Sequence, residues 1–170
     1  MAGPVAEASG QQVGLAADAL GVGRLAAAAT LLARAESFVT RAPHRIAVRR
    51  AWVAAELAMA GGDGGVAVRN AEVAVELAAS TLRGAARHRA KSQVVLAAAL
   101  CSAGALDRAR VVAEAALELT GGLGLIPLRW ALACLLVDIA EAEGRIAELR
   151  DIRDESAGRV EHWGGTWRRR

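Results

Sequence analysis

Along most of this 170-residue chain, apolar residues return at spacings of three, four and seven, the pattern of helices that bury one face. The pattern predicts eight helices, over residues 9–20, 24–40, 43–60, 65–81, 85–101, 105–119, 126–142 and 145–162. Boundary residues agree with these limits. Ser9 with Gln12 reads as a capping box ahead of the first helix. Pro43 and Pro127 suit the first turns of the third and seventh helices. Gly61-Gly62 and Gly121-Gly122 are strong stops.

Four glycines recur at near-even intervals, Gly23, Gly62, Gly104 and Gly144, separated by 39, 42 and 40 residues. Each falls between two helical patterns. Counted from Gly104, Leu96, Ala97 and Leu100 precede it, and Ala109, Ala116 and Leu119 follow. The same offsets give Ala54, Ala55, Ala58, Ala67, Ala74 and Leu77 around Gly62. Around Gly23 they give Leu15, Ala16, Ala19, Ala28, Ala35 and Phe38, and around Gly144 Leu136, Val137, Ala140, Leu149, Ser156 and Arg159. Small residues at these offsets let two antiparallel helices approach closely, and a glycine closes the first helix of each pair at low steric cost. Such a pair has an apolar face it cannot bury alone, so neighbouring pairs must stack.

The stretch Ala90 to Gly121, "AKSQVVLAAALCSAGALDRARVVAEAALELTG", resembles a tetratricopeptide repeat. It has the large-small pair, the large residue, the turn glycine, two small residues and the aliphatic end of that scheme. Arg49–Ala79 matches nearly as well and Ser9–Phe38 moderately. The fourth unit has Leu149 and Ser156 at the small positions, as suits a terminal pair. The period is longer than the family's and is similar to the longer helical repeats of large bacterial signalling regulators. The resemblance implies an all-α array of about four antiparallel helix hairpins wound as a right-handed superhelix. The alternative is an Ala-rich α-helical bundle. The expected organisation is a flexible N-terminus (1–8), one repeat domain (9–163) and a basic C-terminal tail (164–170).

Composition narrows the classes. Only 3% of residues are aromatic while 54% are hydrophobic, which disfavours a β-sandwich or barrel and long disorder. The net charge is +3, carried by 20 Arg and one Lys, Lys91. An arginine excess beside abundant alanine fits GC-rich codon usage, so the distribution of charge says more than its total. Cys101 and Cys134 lie in apolar helical runs 33 residues apart, without the short spacing of a zinc or redox motif, and are expected to be buried free thiols. The N-terminus has no basic segment followed by an apolar core, and the longest apolar run, Trp130–Val137, is too short for a membrane span. The expected location is the cytoplasm, with no membrane partner.

No catalytic constellation stands out, and an enzyme is not expected. His44, His88 and His162 lack partners at metal spacing, so no metal or cofactor is expected, and each reads as a surface or helix-end histidine. Gly61-Gly62-Asp63-Gly64-Gly65 lies between helices with no lysine following, so it reads as an interhelical turn in which Asp63 caps the next helix. The carboxylates from Asp138 to Glu155 interleave with Arg145, Arg150 and Arg153 and read as a solvated, ion-paired face.

Two arginine clusters are the strongest functional hint. Arg41, Arg45, Arg49 and Arg50 open the leading helix of unit two, and Arg83, Arg87, Arg89 and Lys91 that of unit three. Arg129 lies at the corresponding end of unit four. Cations near a helix N-terminus oppose the macrodipole, so stability does not account for them. Stacking would align them into a basic ridge. The family resemblance implies that the leading helices line a concave groove. Offsets from the glycines place Arg49, Trp52, Glu56 and Met59 there, with Lys91, Val94, Ala98 and Cys101 from unit three and Ala131, Cys134, Asp138 and Glu141 from unit four. Trp52 with Arg49 is the expected anchor, these being residue types enriched at binding hot spots. At the C-terminus, Trp163 caps the last helix, Gly164-Gly165 ends it, and Trp167 with Arg168-Arg169-Arg170 forms an apolar and cationic tail. The expected function is a non-enzymatic scaffold that holds a partner's acidic peptide or helix, regulatory in bacterial signalling or transcription. The runner-up is a nucleic-acid-associated accessory domain using the arginines, and a third is a homo-oligomer stacked through Ala-rich end helices.

Overall fold

The computed structural model describes residues 4–36, 43–80 and 86–166, and within them every regular element is a helix. They are α1 (Pro4–Gly21), α2 (Leu25–Glu36), α3 (His44–Ala60), α4 (Gly64–Ala79), α5 (Ala86–Ser102), α6 (Leu106–Gly122), α7 (Ile126–Ile139) and α8 (Glu143–His162). Phe38, Arg41, Arg83, Trp167 and Arg168-Arg169-Arg170 lie outside the described residues.

Each helix packs on the next along the chain, most extensively within α1–α2, α3–α4 and α7–α8. A second set of contacts joins α1 to α3, α3 to α5 and α5 to α7, and nothing comparable joins α2 to α4, α4 to α6 or α6 to α8. The even-numbered helices stand far enough apart that long side chains span between them. Glu72 on α4 meets Arg108 on α6 at 3.1 Å, and Glu114 on α6 meets Arg145 Nε on α8 at 3.0 Å.

Burial follows the repeat. Counted from the four recurring glycines, one position in each second helix is Ala28, Ala67, Ala109 or Leu149, and all are fully buried. The next, two turns on, is Ala35, Ala74, Ala116 or Ser156, again buried in all four. In the leading helices Ala16, Ala55 and Ala97 are fully buried and Val137 half-buried at the same offset. In the first three pairs methyl-sized side chains at these positions permit close helix approach, while the fourth pair has the larger Leu149 and Val137, and Leu96, Leu100, Leu132 and Leu136 add larger side chains to the same core.

The turns explain the glycines. After α1, α3 and α5 the chain passes through Gly23, Gly62 and Gly104, with φ of 76°, 79° and 75°. At Gly62 its amide donates to the Met59 carbonyl and the Asp63 amide to Ala58, at 3.0 and 2.9 Å. The same pair of bonds recurs at Gly23 and Gly104. This is a Schellman turn, whose left-handed residue is cheapest as glycine. Asp63 then caps α4 by accepting from the Val66 amide at 2.9 Å.

Three sequence expectations need correction. Gly144 is not a turn residue: it lies in the first turn of α8, and its φ is not positive. The end of α7 is closed by an arginine instead. Arg110 of α6 donates from Nε and Nη2 to the Ile139 carbonyl at 3.3 and 3.1 Å and pairs with Glu141 at 2.7 Å, satisfying a helix-end carbonyl without a left-handed residue. Next, Gly121-Gly122 forms the last turn of α6, and the left-handed residue there is Gly124, at φ 65°. Finally, Ser9 and Gln12 do not cap α1, because the helix already begins at Pro4. Pro4 needs no amide partner at a helix start, and Glu7 in the first turn suits the macrodipole. Ser9 is thereby buried mid-helix, and its Oγ and Gln12 Oε1 lack a hydrogen-bond partner.

Candidate functional site

The contact of α3 with α5 brings the first turns of two arginine-rich helices to one end of the molecule. Arg49, Trp52, Arg87, His88, Lys91 and Leu128 line a cleft of about 360 Å³. A second cleft of about 470 Å³ adjoins it, sharing Arg49 and His88 and walled by Glu7, Pro43, Arg45 and Ile46. The two form one trough running from α1, across α3 and α5, to the start of α7.

Trp52 forms the floor and is fixed from two sides. Its indole N–H donates to Ser92 Oγ at 2.8 Å, and Ser92 donates in turn to the Ala74 carbonyl of α4 at 3.1 Å. Its ring stacks on His88, with centroids 5.4 Å apart and planes inclined by 28°. Tied by these two contacts, Trp52 is half-buried and lines the trough. Lys91 is anchored by Glu56 at 2.9 Å, each side chain about one-third exposed. Arg45, Arg49 and Arg87 are exposed and make no ion pair with a described residue. The trough therefore presents guanidinium groups without ion-pair partners among the described residues around an aromatic and aliphatic floor, with Glu7 the one carboxylate among its described lining residues.

The structure thus gathers Arg49, Trp52, Glu56 and Lys91 from the expected groove, and Arg45 and Arg87 from the expected ridge. Met59, Val94 and Cys101 are half-buried against the core below. Asp138 is exposed near the C-terminal end of α7, where it acts on Cys134. Glu141 belongs to the Arg110 cap.

The ridge is shorter than the sequence suggests. Arg89 is exposed on α5 but lines neither cleft. Arg50 turns to α2 and pairs with Glu36 at 2.7 Å. Arg129 turns back onto α6 and donates to the Leu117 carbonyl at 3.0 Å, and its guanidinium occupies the space where a Cβ on Gly121 would sit. The sequence grouped Arg50 with Arg45 and Arg49, and set Arg129 forty residues after Arg89, but a neighbouring carboxylate captured the first and a backbone carbonyl of α6 the second. Arg41 and Arg83 fall outside the described residues.

Besides Glu7, Gly10, Pro43 and Ile46 on the α1 side, His88 and Leu128 are trough residues that were not candidates from sequence. His88 looks like an ordinary helix-end histidine, and its one legible signal is its place on the same face as Lys91 and Ser92, three and four residues on. Leu128 lies one turn before Ala131 on α7, so the periodicity that nominated Ala131 extends to it.

Cys101 and Cys134 are free, half-buried thiols. Burial pushes the Cys134 thiol above its ordinary range, Arg153 pulls it back in part, and Asp138 and Asp154 push it further up. Arg153 in turn bonds Asp154 at 2.8 Å and holds that carboxyl below the usual carboxylate range. Among the described residues, no group of His, Cys, Asp and Glu is placed to hold a metal ion, and no helix is long and apolar enough to cross a membrane. No protein-family model, curated protein or solved structure gives a significant match to the chain.

Proposed function

We propose that the protein is a non-enzymatic interaction module whose trough receives an acidic segment of a partner protein. The observation that carries this reading is Trp52, hydrogen-bonded to Ser92 and set among Arg45, Arg49, Arg87 and Lys91, of which the three arginines make no ion pair with a described residue. Uncompensated guanidiniums steer and orient carboxylates, and a pre-fixed aromatic supplies contact area at little entropic cost. The best-fitting ligand has an apolar side chain for the Trp52 and Leu128 floor with Asp or Glu on either side. We further propose that the helix pairs stack as a tetratricopeptide-like superhelix with the odd-numbered helices on its inner side. The recurring buried positions support this, as do contacts among odd helices that have no equivalent among even ones.

The test is selection from a random peptide library displayed against the full chain, followed by titration of the selected peptides. Enrichment of acidic peptides is expected, with binding weakened at least about tenfold by Arg49→Glu and by Trp52→Ala. Selection of peptides without Asp or Glu, or affinities unchanged in both folded variants, overturns the reading. A parallel titration with single- and double-stranded DNA and RNA at low salt separates it from nucleic-acid binding, which is strongly salt-dependent.

A further inference from the structure

The two ends of the helix array differ in chemistry. At the C-terminal end, α8 presents Glu148, Arg150, Asp151, Asp154 and Glu155 to solvent, the polar outer face that a terminal element of a stacked array needs. At the N-terminal end, α1 is apolar on two sides. One side buries Val13 and Ala16 against the rest of the molecule. The other carries Leu15 and Ala19, continued by Val22 in the turn just after the helix, and Leu15 and Val22 are 52% and 70% exposed. Together with Ala27 and Leu31 of α2 they line an open apolar groove of about 370 Å³.

The groove has a charge on each of its two helices. Asp18 stands on the α1 side and Arg24 at the start of α2, both exposed and not paired with each other. A two-fold axis through such a face sets the Asp18 of one copy against the Arg24 of the other, twice, over a shared apolar seam. That is the arrangement an isologous interface requires. We propose that this face binds a second copy of the chain, α1 and α2 packing on α1 and α2 of the partner as a four-helix layer. The two helices of this face have 18 and 12 residues, about 27 and 18 Å in length, which makes a small patch for a specific interface, so the dimer is weak and reversible. Because the opposite end is polar, association stops at two copies and does not grow into a filament.

Sedimentation equilibrium of the full chain over about a hundredfold range reaching ~100 μM tests this. A monomer–dimer equilibrium is expected, abolished by Leu15→Glu, with helix content by circular dichroism showing that the variant is folded. Asp18→Arg sets arginine against arginine and Arg24→Asp sets aspartate against aspartate, so each alone shifts the midpoint up at least about tenfold. The two together restore it. Restoration in the double variant supports the face, since general destabilisation would add rather than cancel. A monomer at every concentration, growth beyond the dimer, a dimer that survives Leu15→Glu, or no recovery in the charge-swapped double variant overturns the proposal.

Discussion

Trp52 and Ser92, 40 residues apart in sequence, are joined by a 2.8 Å hydrogen bond that carries on to the Ala74 carbonyl. The bond fixes the tryptophan of the trough and ties α3, α5 and α4 together where two helix pairs meet. Ser92 is fully buried, so its removal leaves the indole N–H without a partner. Ser92→Ala is expected to cost about 1–3 kcal/mol, measured by urea unfolding. A double-mutant cycle with Trp52→Phe is expected to show positive coupling, and strict additivity would refute the link.

The trough arginines should weaken the fold that displays them. Arg45 and Arg87 are each the second residue of a helix, α3 and α5, where a cation opposes the macrodipole. Arg45→Glu and Arg87→Glu are expected to raise stability by about 0.3–1 kcal/mol each while lowering affinity for acidic peptides. Thermal melts and peptide titrations on the same preparations check both halves. Loss of stability in these variants would show that the arginines have a structural role.

Three glycines should differ sharply on substitution by alanine. At Gly64 a Cβ would come within 2.6 Å of the Ala103 backbone, so Gly64→Ala forces the second pair away from the turn of the third. A cost of about 3 kcal/mol is expected, at the upper end for overpacking. Gly62 has φ 79° but open space around it, so Gly62→Ala costs only about 1–2 kcal/mol in backbone conformation. Gly144 has neither constraint, and Gly144→Ala is neutral or stabilising by about 0.5 kcal/mol. Chemical denaturation of the three variants gives the order directly.

Arg110 takes the place of a glycine turn at the end of α7. Arg110→Ala leaves the Ile139 carbonyl open and releases Glu141, at an expected cost of about 1.5–3 kcal/mol. Hydrogen exchange should locate the loss in the last turn of α7 and the start of α8. Uniform loss of protection across the whole chain would contradict a local cap.

Cys134 gives a pH signature. Its thiol titrates above the ordinary range in the folded state, chiefly because it is buried. The folded form therefore keeps its proton where the unfolded form has lost it. The contribution to stability is complete below the unfolded thiol's pKa and is lost as pH rises through the folded value. Alkylation of Cys134 is expected to be slower than that of a small free thiol near pH 8, and to reach the free rate in urea. Equal rates in the folded protein would show that the thiol is unperturbed.

What the sequence determined is what depends on neighbours along the chain. Helical periodicity located all eight helices, because a buried face repeats within a few residues. The recurrence of Ala28, Ala67 and Ala109, and of Ala35, Ala74 and Ala116, marked the seams, because close helix approach admits only small side chains there. Tertiary structure decided what depends on neighbours in space. Arg45 and Arg50 are five residues apart on one helix, yet Glu36 lies within reach of Arg50 alone. His88 joined the site because Trp52 of another helix lies beneath it. Arg110 made a turn glycine unnecessary after α7. A long side chain can reach several partners of similar energy, and only the placement of whole helices determines which of them is within hydrogen-bonding distance.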